Sequence, residues 1–373
     1  MKLINLTLIN FRNIEKEDIH FNKNINILYG GNGQGKTSIL EAIYFLGITK
    51  SFRVGDEKAV VKTGQNYFDV SGKFEKQNSQ TFSIRVYFSG TEGKHVFYNK
   101  EKIKTFSSII GTVPIVLLSL EDLDLTYGSP SARRKFIDIL ISQIDPKYLQ
   151  SLKQFKKVVL SRNKVLSLIS ENKEDLASLR PWDKQFAEYG SYLHYERKLI
   201  LKELSSYVSK YYQNISGTTD EVEIRYQSSV ANEDDADLEE IKKRMYQRLE
   251  ETRQRDLAYG STSTGPHRED LLFFKNKQPL KIFGSQGENK TFLIGLKFAE
   301  ALLIEKHLNE KPLLLLDDIF SELDQFRIKQ VLETIQSDQR QTFITTTEAD
   351  KFGQDKEEID FFRISNGKIL NET

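Results

Sequence analysis

The chain has 373 residues, with 54 Lys plus Arg against 53 Asp plus Glu and no cysteine. Balanced charge excludes a globally basic polyanion binder, so any nucleic-acid surface must be a local patch. The missing cysteines exclude disulfides, thiolate catalysis and Cys-based zinc or iron–sulfur sites, and fit a reducing cytoplasm. No run reaches the roughly 18 uninterrupted apolar residues of a membrane span, and the length predicts two or so domains with a large core.

The N-terminal text "MKLINLTLINFRNIEKED" alternates apolar and polar residues and reads as a strand, without the apolar core of a signal peptide. A second β-rich run, "INILYG", leads into "GGNGQGKTSILEAIYFLG", whose second half recurs at helical spacing. Gly30, Gly35, Lys36 and Thr37 therefore satisfy G-x-x-x-x-G-K-[ST] in its strand-to-helix context. Gly30, Gly31, Gly33 and Gly35 let backbone N–H groups turn toward a polyphosphate, and the helix N-terminus favours its charge. Asn32, Gln34 and Ser38 complete the candidate cradle. Lys36 supplies a point charge to the β- and γ-phosphates, and Thr37 a hydroxyl ligand for Mg²⁺. An ordinary Gly-rich turn would not require the Lys-Thr pair.

Strand-like runs continue with "YFDVSGKFE", "TFSIRVYFSG", "KHVFYN" and "VPIVLLSL". From "SPSARRKFID" the period turns helical, with Leu149, Leu152, Phe155, Val158 and Val159 on one stripe. Helical text runs to about Tyr212 and again from Asp237 to Tyr259, across the acidic break "ANEDDADLEE". Strands resume after "GSTSTGPHRED" with "LLFFKN", "QPLKIF", "PLLLLDD", "TFITTT" and "FFRISN". This order suggests one α/β domain interrupted by a helical insertion, with two tandem domains as the alternative.

Within "KPLLLLDDIFSELD", Leu313 to Leu316 suit a parallel strand buried on both faces and ending at Asp317 and Asp318. Beside a phosphate cradle, Asp317 is placed to hold Mg²⁺ directly or through water, and Asp318 to act as general base for the attacking water. In "FGSQGENKTFLIGLKFAEALL", Ser285, Gln286 and Gly287 precede an amphipathic helix carrying Phe292, Leu296, Ala299 and Ile304. That helix start is a second anion-ready terminus, which suggests two copies facing one nucleotide from opposite sides; the same residues also fit a plain N-cap.

Together these motifs resemble the ATP-binding-cassette superfamily in its SMC-related DNA-repair branch, and most closely the RecF family. The resemblance rests on "NFRN", the cradle, "KSFR", "GSPSARRKFID", "LSRNKVL", "GPHRED", "FGSQGENK" and "LLLLDDIFSELD" in that order. It implies an α/β P-loop ABC-type ATPase head built from both chain ends, residues 1–128 and 260–373, with an inserted, mainly helical lid, residues 129–259. It also implies ATP and Mg²⁺ as cofactors, Lys36 and Thr37 as Walker A, and Asp317 as Walker B. Ser285 and Gly287 would cap the partner's γ-phosphate, Ser321 to Asp324 would form a loop across the dimer, and Arg12 would lie near the base or ribose. Thr345 to Thr347 stand where the superfamily has its switch residue. Asp318 replaces the superfamily's usual Glu, as RecF proteins generally do, which implies slow hydrolysis.

By the same resemblance, the expected function is ATP-dependent DNA binding in recombinational repair. An ATP-driven homodimer would close on double-stranded DNA near gaps or single-strand/duplex junctions, with RecR and RecO as partners, RecA loading downstream, and a cytoplasmic location. From Ser151 to Ser216 there are twelve Lys/Arg against seven Asp/Glu, a basic surface that equally fits a solvated helix face. An overcoming-lysogenization-defect-type ATPase/nuclease would need a metal-nuclease domain for which too few residues follow Asp324. A transporter ATPase is disfavoured by the insertion and the signature, and a module binding ATP without turnover stays open. Glu121, Asp122, His267 and Arg268 carry no role at this level.

Overall fold

Alternating burial and continuous burial build two different sheets. The computed structural model describes residues 1–230, 237–352 and 358–370, without the side chains of Ser321, Glu322, Asp350 and Lys351. Residues 231–236 of the acidic break therefore lie outside the described residues, as do the side chains that open the expected Ser321–Asp324 loop.

The strands are β1 (Lys2–Phe11), β2 (Ile14–His20), β3 (Ile25–Tyr29), β4 (Tyr67–Glu75), β5 (Thr81–Ser89), β6 (Gly93–Tyr98), β7 (Glu101–Lys102) and β8 (Ile115–Leu118). They continue with β9 (Val222–Gln227), β10 (Asp270–Lys275), β11 (Gln278–Pro279), β12 (Leu313–Asp317), β13 (Thr342–Thr346), β14 (Ile359–Ser365) and β15 (Lys368–Leu370). The helices are α1 (Lys36–Ile48), α2 (Leu123–Thr126), α3 (Pro130–Ile144), α4 (Pro146–Ser170), α5 (Arg180–Ser216), α6 (Leu238–Tyr259), α7 (Leu280–Phe283), α8 (Gln286–Leu308) and α9 (Gln325–Asp338).

Two compact units result: residues 1–123, 210–219 and 286–373, and residues 124–209 and 220–285. Against the expected boundaries, the second unit takes residues 124–128 and 260–285, and the first takes 210–219.

The first unit holds a largely parallel sheet of order β15-β14-β3-β13-β12-β8 and an antiparallel sheet of order β2-β1-β4-β5-β6-β7. Leu313 to Leu316 are buried, with β13 and β8 parallel on either side, as a strand covered on both faces requires. β4 and β5 instead alternate buried and accessible residues, as expected of an antiparallel sheet with one face on the core. α1 is buried along nearly its whole length because it packs against strands of both sheets. α8, expected to be amphipathic, is likewise buried on almost every side from Asn289 to Ile304.

The second unit is not purely helical. It carries the sheet β11-β10-β9, of which "VEIRYQ" was not foreseen as a strand. "QPLKIF" keeps only Gln278–Pro279 as strand, then turns into the single helical turn α7 with Pro279 at its N-cap. Proline cannot continue a ladder as donor and its fixed φ suits a helix start.

The α4 stripe is buried at Leu152, Phe155 and Val158, and only half-buried at Leu149 and Val159. Its buried face continues into Arg162, which is fully enclosed. Arg162 Nε donates to Asp183 at 2.7 Å, and its Nη1 donates to Asp256 and to Thr262 Oγ1 at 2.8 Å each. "GPHRED" supplies a second polar centre. Buried Glu269 accepts from Ser228 Oγ at 2.7 Å, from Tyr226 and from His194 Nδ1 at 2.8 Å, while Arg197 Nη1 donates to the Pro266 carbonyl at 2.7 Å. His267 Nε2 and Arg268 Nε both donate to the Thr262 carbonyl, and burial holds the His267 pKa down to about 4. His267 and Arg268, two of the four residues without a role in the sequence, thus close the 262–268 loop.

Replacing Arg162 with Ala takes the cation they share from two buried carboxylates, leaving Asp183 only the more distant Arg253 and Asp256 only Ser263, which should cost about 3–5 kcal/mol. Trp182, the single tryptophan, lies beside Asp183 in this unit. Urea unfolding followed by its fluorescence should show a lower midpoint for Arg162→Ala; an unchanged midpoint would mean the cluster contributes no net stability.

Candidate nucleotide site

β3 ends at Tyr29, and the chain enters α1 at Lys36 through the six-residue loop of the cradle. Two glycines are indispensable there. Gly30 has φ 147°, and a Cβ would lie 2.3 Å from the Ile364 carbonyl oxygen of β14; Gly35 has φ 113°, and a Cβ would lie 3.0 Å from the Asn13 amide. Gly33 also has positive φ, but Gly31 does not, so only three of the four predicted glycines use the positive-φ freedom that glycine allows.

The loop is held from outside by residues without a predicted role. Asn13 Nδ2 donates to the Gln34 carbonyl at 3.1 Å, and Ser38 Oγ donates to Asn13 Oδ1 at 3.2 Å. Gln34 Oε1 accepts from the Asn366 N–H at 2.6 Å, and the Gly367 N–H donates to the Gln34 carbonyl at 2.8 Å, tying the loop to the β14–β15 turn. Asn32 stays exposed at the loop tip.

Lys36 is buried, and its ammonium donates to the carbonyls of Gly30 and Gly31 at 2.8 Å each. Desolvation lowers its pKa, while Asp318 and Asp317 oppose the shift. Thr37 Oγ1 donates to Asp317 Oδ1 at 2.8 Å, and Thr345 Oγ1 donates to the same oxygen at 2.6 Å. The Asp318 N–H donates to Thr345 Oγ1 at 2.9 Å, with Asp318 in the left-handed conformation at φ 53°. Lys36, Thr37, Asp317, Asp318 and Thr345 thus meet at the C-terminal ends of adjacent strands β3, β13 and β12. The paired hydroxyl and carboxylate of Thr37 and Asp317 fit Mg²⁺, which takes one or two hard protein oxygens together with phosphates and water.

Arg12 and Asp324, also predicted, make their hydrogen bonds outside this group. Arg12, with φ 57°, grips buried Glu41 through Nε at 2.8 Å and Nη2 at 2.5 Å, and its Nη1 donates to the Ala59 carbonyl at 2.7 Å. Glu41 also accepts from Ser51 Oγ at 2.5 Å and faces Arg53 at 3.6 Å, linking "NFRN" to "KSFR". Its only sequence signal is that it is the lone acid in the apolar run of α1. Ser285 is exposed just before α8. A Cβ on Gly287 would lie 3.9 Å from Arg327 Nη1. Asp324 caps α9 by accepting the Arg327 N–H at 2.9 Å, a bond that lowers its pKa. Among the described residues, no hydrogen bond joins Gly287 or Asp324 to the cradle.

A buried charge cluster lies where β8 ends. Asp122 Oδ2 accepts from the Ser119 N–H at 2.7 Å, and Asp122 Oδ1 lies 3.2 Å from the ammonium of Lys297 on α8. Glu300, one turn on, lies 3.2 Å from the same ammonium. Two carboxylates share one buried cation, and Asp122 is further held by its turn, so Glu300 is the surplus acid. Burial pushes its pKa up to about 7.

A carboxyl raised from 4.5 to about 7 binds more protons folded than unfolded between those values, so its contribution declines as pH rises through that window. Glu300→Gln removes the decline. Urea midpoints at about pH 5 and about pH 8 should therefore show the variant gaining on the wild type at the higher pH; a pH-independent difference would mean Glu300 does not titrate there.

A family described as RecF/RecN/SMC N terminal domain has a model that matches residues 2–369. Proteins named DNA replication and repair protein RecF, from Bacillus thuringiensis (strain Al Hakam) and Bacillus cereus (strain B4264), are each 36% identical over 371 residues, covering 99% of this chain and 98% of theirs. A solved structure of the recombination mediator protein RecF with ATP, from the RecFOR pathway, superposes with TM-score 0.92 at 33% identity, covering 100% of this chain and 97% of that one. An Smc head bound to the C-winged helix domain of ScpA superposes with TM-score 0.58 at 17% identity over 100% of this chain and 98% of that one, a likeness of fold alone.

Proposed function

The chain belongs to the RecF family, and from that premise we propose that it is an ATP-dependent DNA-binding protein of replication and recombinational repair. In this reading two copies sandwich two ATP molecules, close on duplex DNA near single-strand gaps or junctions, and reopen on slow hydrolysis. RecO and RecR are the proposed partners, and the pathway named for the ATP-bound relative supports that choice.

The observation that carries the reading is the hydroxyl–carboxylate pair of Thr37 and Asp317, contributed by the start of α1 and the end of β12, 280 residues apart in the chain. With Lys36 on the loop carbonyls, it supplies a charge for the phosphates and two hard oxygens for Mg²⁺. Bound Mg²⁺ would neutralise developing phosphate charge. Thr37 and Asp317 would hold the ion, Lys36 would move from its carbonyls to the phosphates, and Asp318 would take the proton of the attacking water.

Asp318 is one methylene shorter than glutamate, so turnover should be well below the ~10 s⁻¹ typical of enzymes. Asp318→Asn should keep ATP affinity yet hydrolyse still more slowly, read as single-turnover phosphate release. Unaffected release would assign the base elsewhere, and no release from the wild type would favour ATP as a ligand without turnover.

Ser285 is proposed to cap the γ-phosphate held by Lys36 of the other copy. Lys36→Ala should lose nucleotide binding while its circular dichroism stays native, and Ser285→Arg should bind ATP but fail to pair. Mixing the two leaves one site wholly wild type, so phosphate release should exceed the sum of the separate variants, with crosslinking confirming mixed pairs. Mixed pairs that form without restored release would sink the shared site.

A further inference from the structure

α4 is 25 residues long and contains five lysines, one arginine and no acidic residue. The arginine, Arg162, points inward and is fully buried, as are Tyr148, Leu152, Phe155, Val158 and Leu166. Lys153, Lys156, Lys157 and Lys164 are exposed on the opposite side, interrupted only by Leu160, which is 72% exposed. Positions 153, 157, 160 and 164 follow the helical repeat, so these side chains form one stripe about 17 Å long.

The stripe differs from an ordinary solvated helix face. On α6 of the same unit carboxylates stand among the cations and pair four of the six: Lys242 with Glu188 and Glu239, Arg244 with Glu240, Arg248 with Glu251 and Arg253 with Glu250, while Lys243 and Arg255 have no such partner among the described residues. Lys156, Lys157 and Lys164 make no ion pair among the described residues. Carboxylates resume only past the helix, at Glu171, Glu174 and Asp175. The ammonium groups of Lys156, Lys157 and Lys164, on a helix anchored by its other face, present a fixed line of positive potential.

We propose that this face of α4 is a sequence-independent docking surface for the phosphate backbone of double-stranded DNA. The inference rests on the DNA-binding reading above and assigns it a surface. A stripe of this length spans several phosphates, which recur every ~3.4 Å along one strand. Single strands are usually gripped by aromatic stacking, and both aromatic residues of α4, Tyr148 and Phe155, are buried. Membrane-surface helices submerge their apolar face, and here that face is consumed by the core of the unit.

The test is fluorescence anisotropy of a labelled blunt duplex with the full chain and ATP, between 50 and 200 mM KCl. The variant carries Lys156→Gln, Lys157→Gln and Lys164→Gln; a charge-matched control carries Lys73→Gln, Lys102→Gln and Lys104→Gln, which are also exposed. Each lost phosphate contact removes about 0.9 from the slope of log K against log salt, so the α4 variant should be shallower by about 2 to 3 and the control unchanged. A Lys→Arg version of the α4 triple should restore the wild-type slope, and ATP affinity should match in all versions, which excludes misfolding as the cause. Equal slopes for the wild type and the α4 variant, or equal losses in variant and control, would overturn the assignment while leaving DNA binding intact. A wild type that binds no duplex would instead remove the DNA-binding reading. Equal binding to phosphatidylserine vesicles, lost in the same variant, would overturn the choice of DNA.

Discussion

A single carboxylate oxygen, Oδ1 of Asp317, accepts hydrogen bonds from Thr37 and Thr345, and the site exists only where these three meet. The meeting is enforced by register: Thr345 pairs with Leu28 on one side and with Asp317 on the other, so β3, β13 and β12 end level. Strands from the first thirty residues and from beyond residue 310 must therefore be hydrogen-bonded neighbours before a nucleotide has anywhere to sit. Whatever lies between them in sequence is free to vary only if it leaves that parallel register untouched, which explains how the chain carries a second unit without losing the site.

Much of this was legible because the relevant signals are local. The cradle glycines, the Lys-Thr pair and the apolar run before Asp317 each follow from φ requirements, phosphate chemistry or double-sided burial within a few residues. What was not legible depends on partners far away. Asn13 and Asn366 look like ordinary turn residues, yet they brace Gln34 from opposite ends of the chain. "VEIRYQ" is too short to stand out between two long helices, although Val222, Ile224 and Tyr226 alternate with polar residues as a strand beside β10 requires. α8 carries an apolar stripe but is buried nearly all round, since Lys297 meets the carboxyl groups of both Asp122 and Glu300 inside. The grip of Arg12 on Glu41 and the Ala59 carbonyl likewise depends on residues far along the chain.

The buried charges share a physical role. Ion pairs removed from water contribute little net stability, because desolvation offsets most of the attraction, but they tolerate few alternative geometries. Arg162 fixes α4 to α5, α6 and the 262 loop; Glu269 gathers α5, β9 and the start of β10; Lys297 pins α8 to the turn after β8. Each cluster holds a helix whose orientation, rather than mere presence, is what the proposed functions need.

Asp318 brings conformation and chemistry together. It is the N-cap of a short 3₁₀ turn and adopts the left-handed region, where aspartate and asparagine are the L-residues best tolerated because their short side chains interact locally. A glutamate there would extend the carboxylate by one methylene, but with less compensation for the backbone. The Asp318 N–H is meanwhile committed to Thr345 Oγ1, the same hydroxyl that donates to Asp317. The backbone conformation, the short carboxylate and the hydroxyl relay therefore form one set. Under the proposed function, that short carboxylate on a left-handed residue would suit slow hydrolysis, with the closed pair of copies lasting as long as the phosphate bond survives.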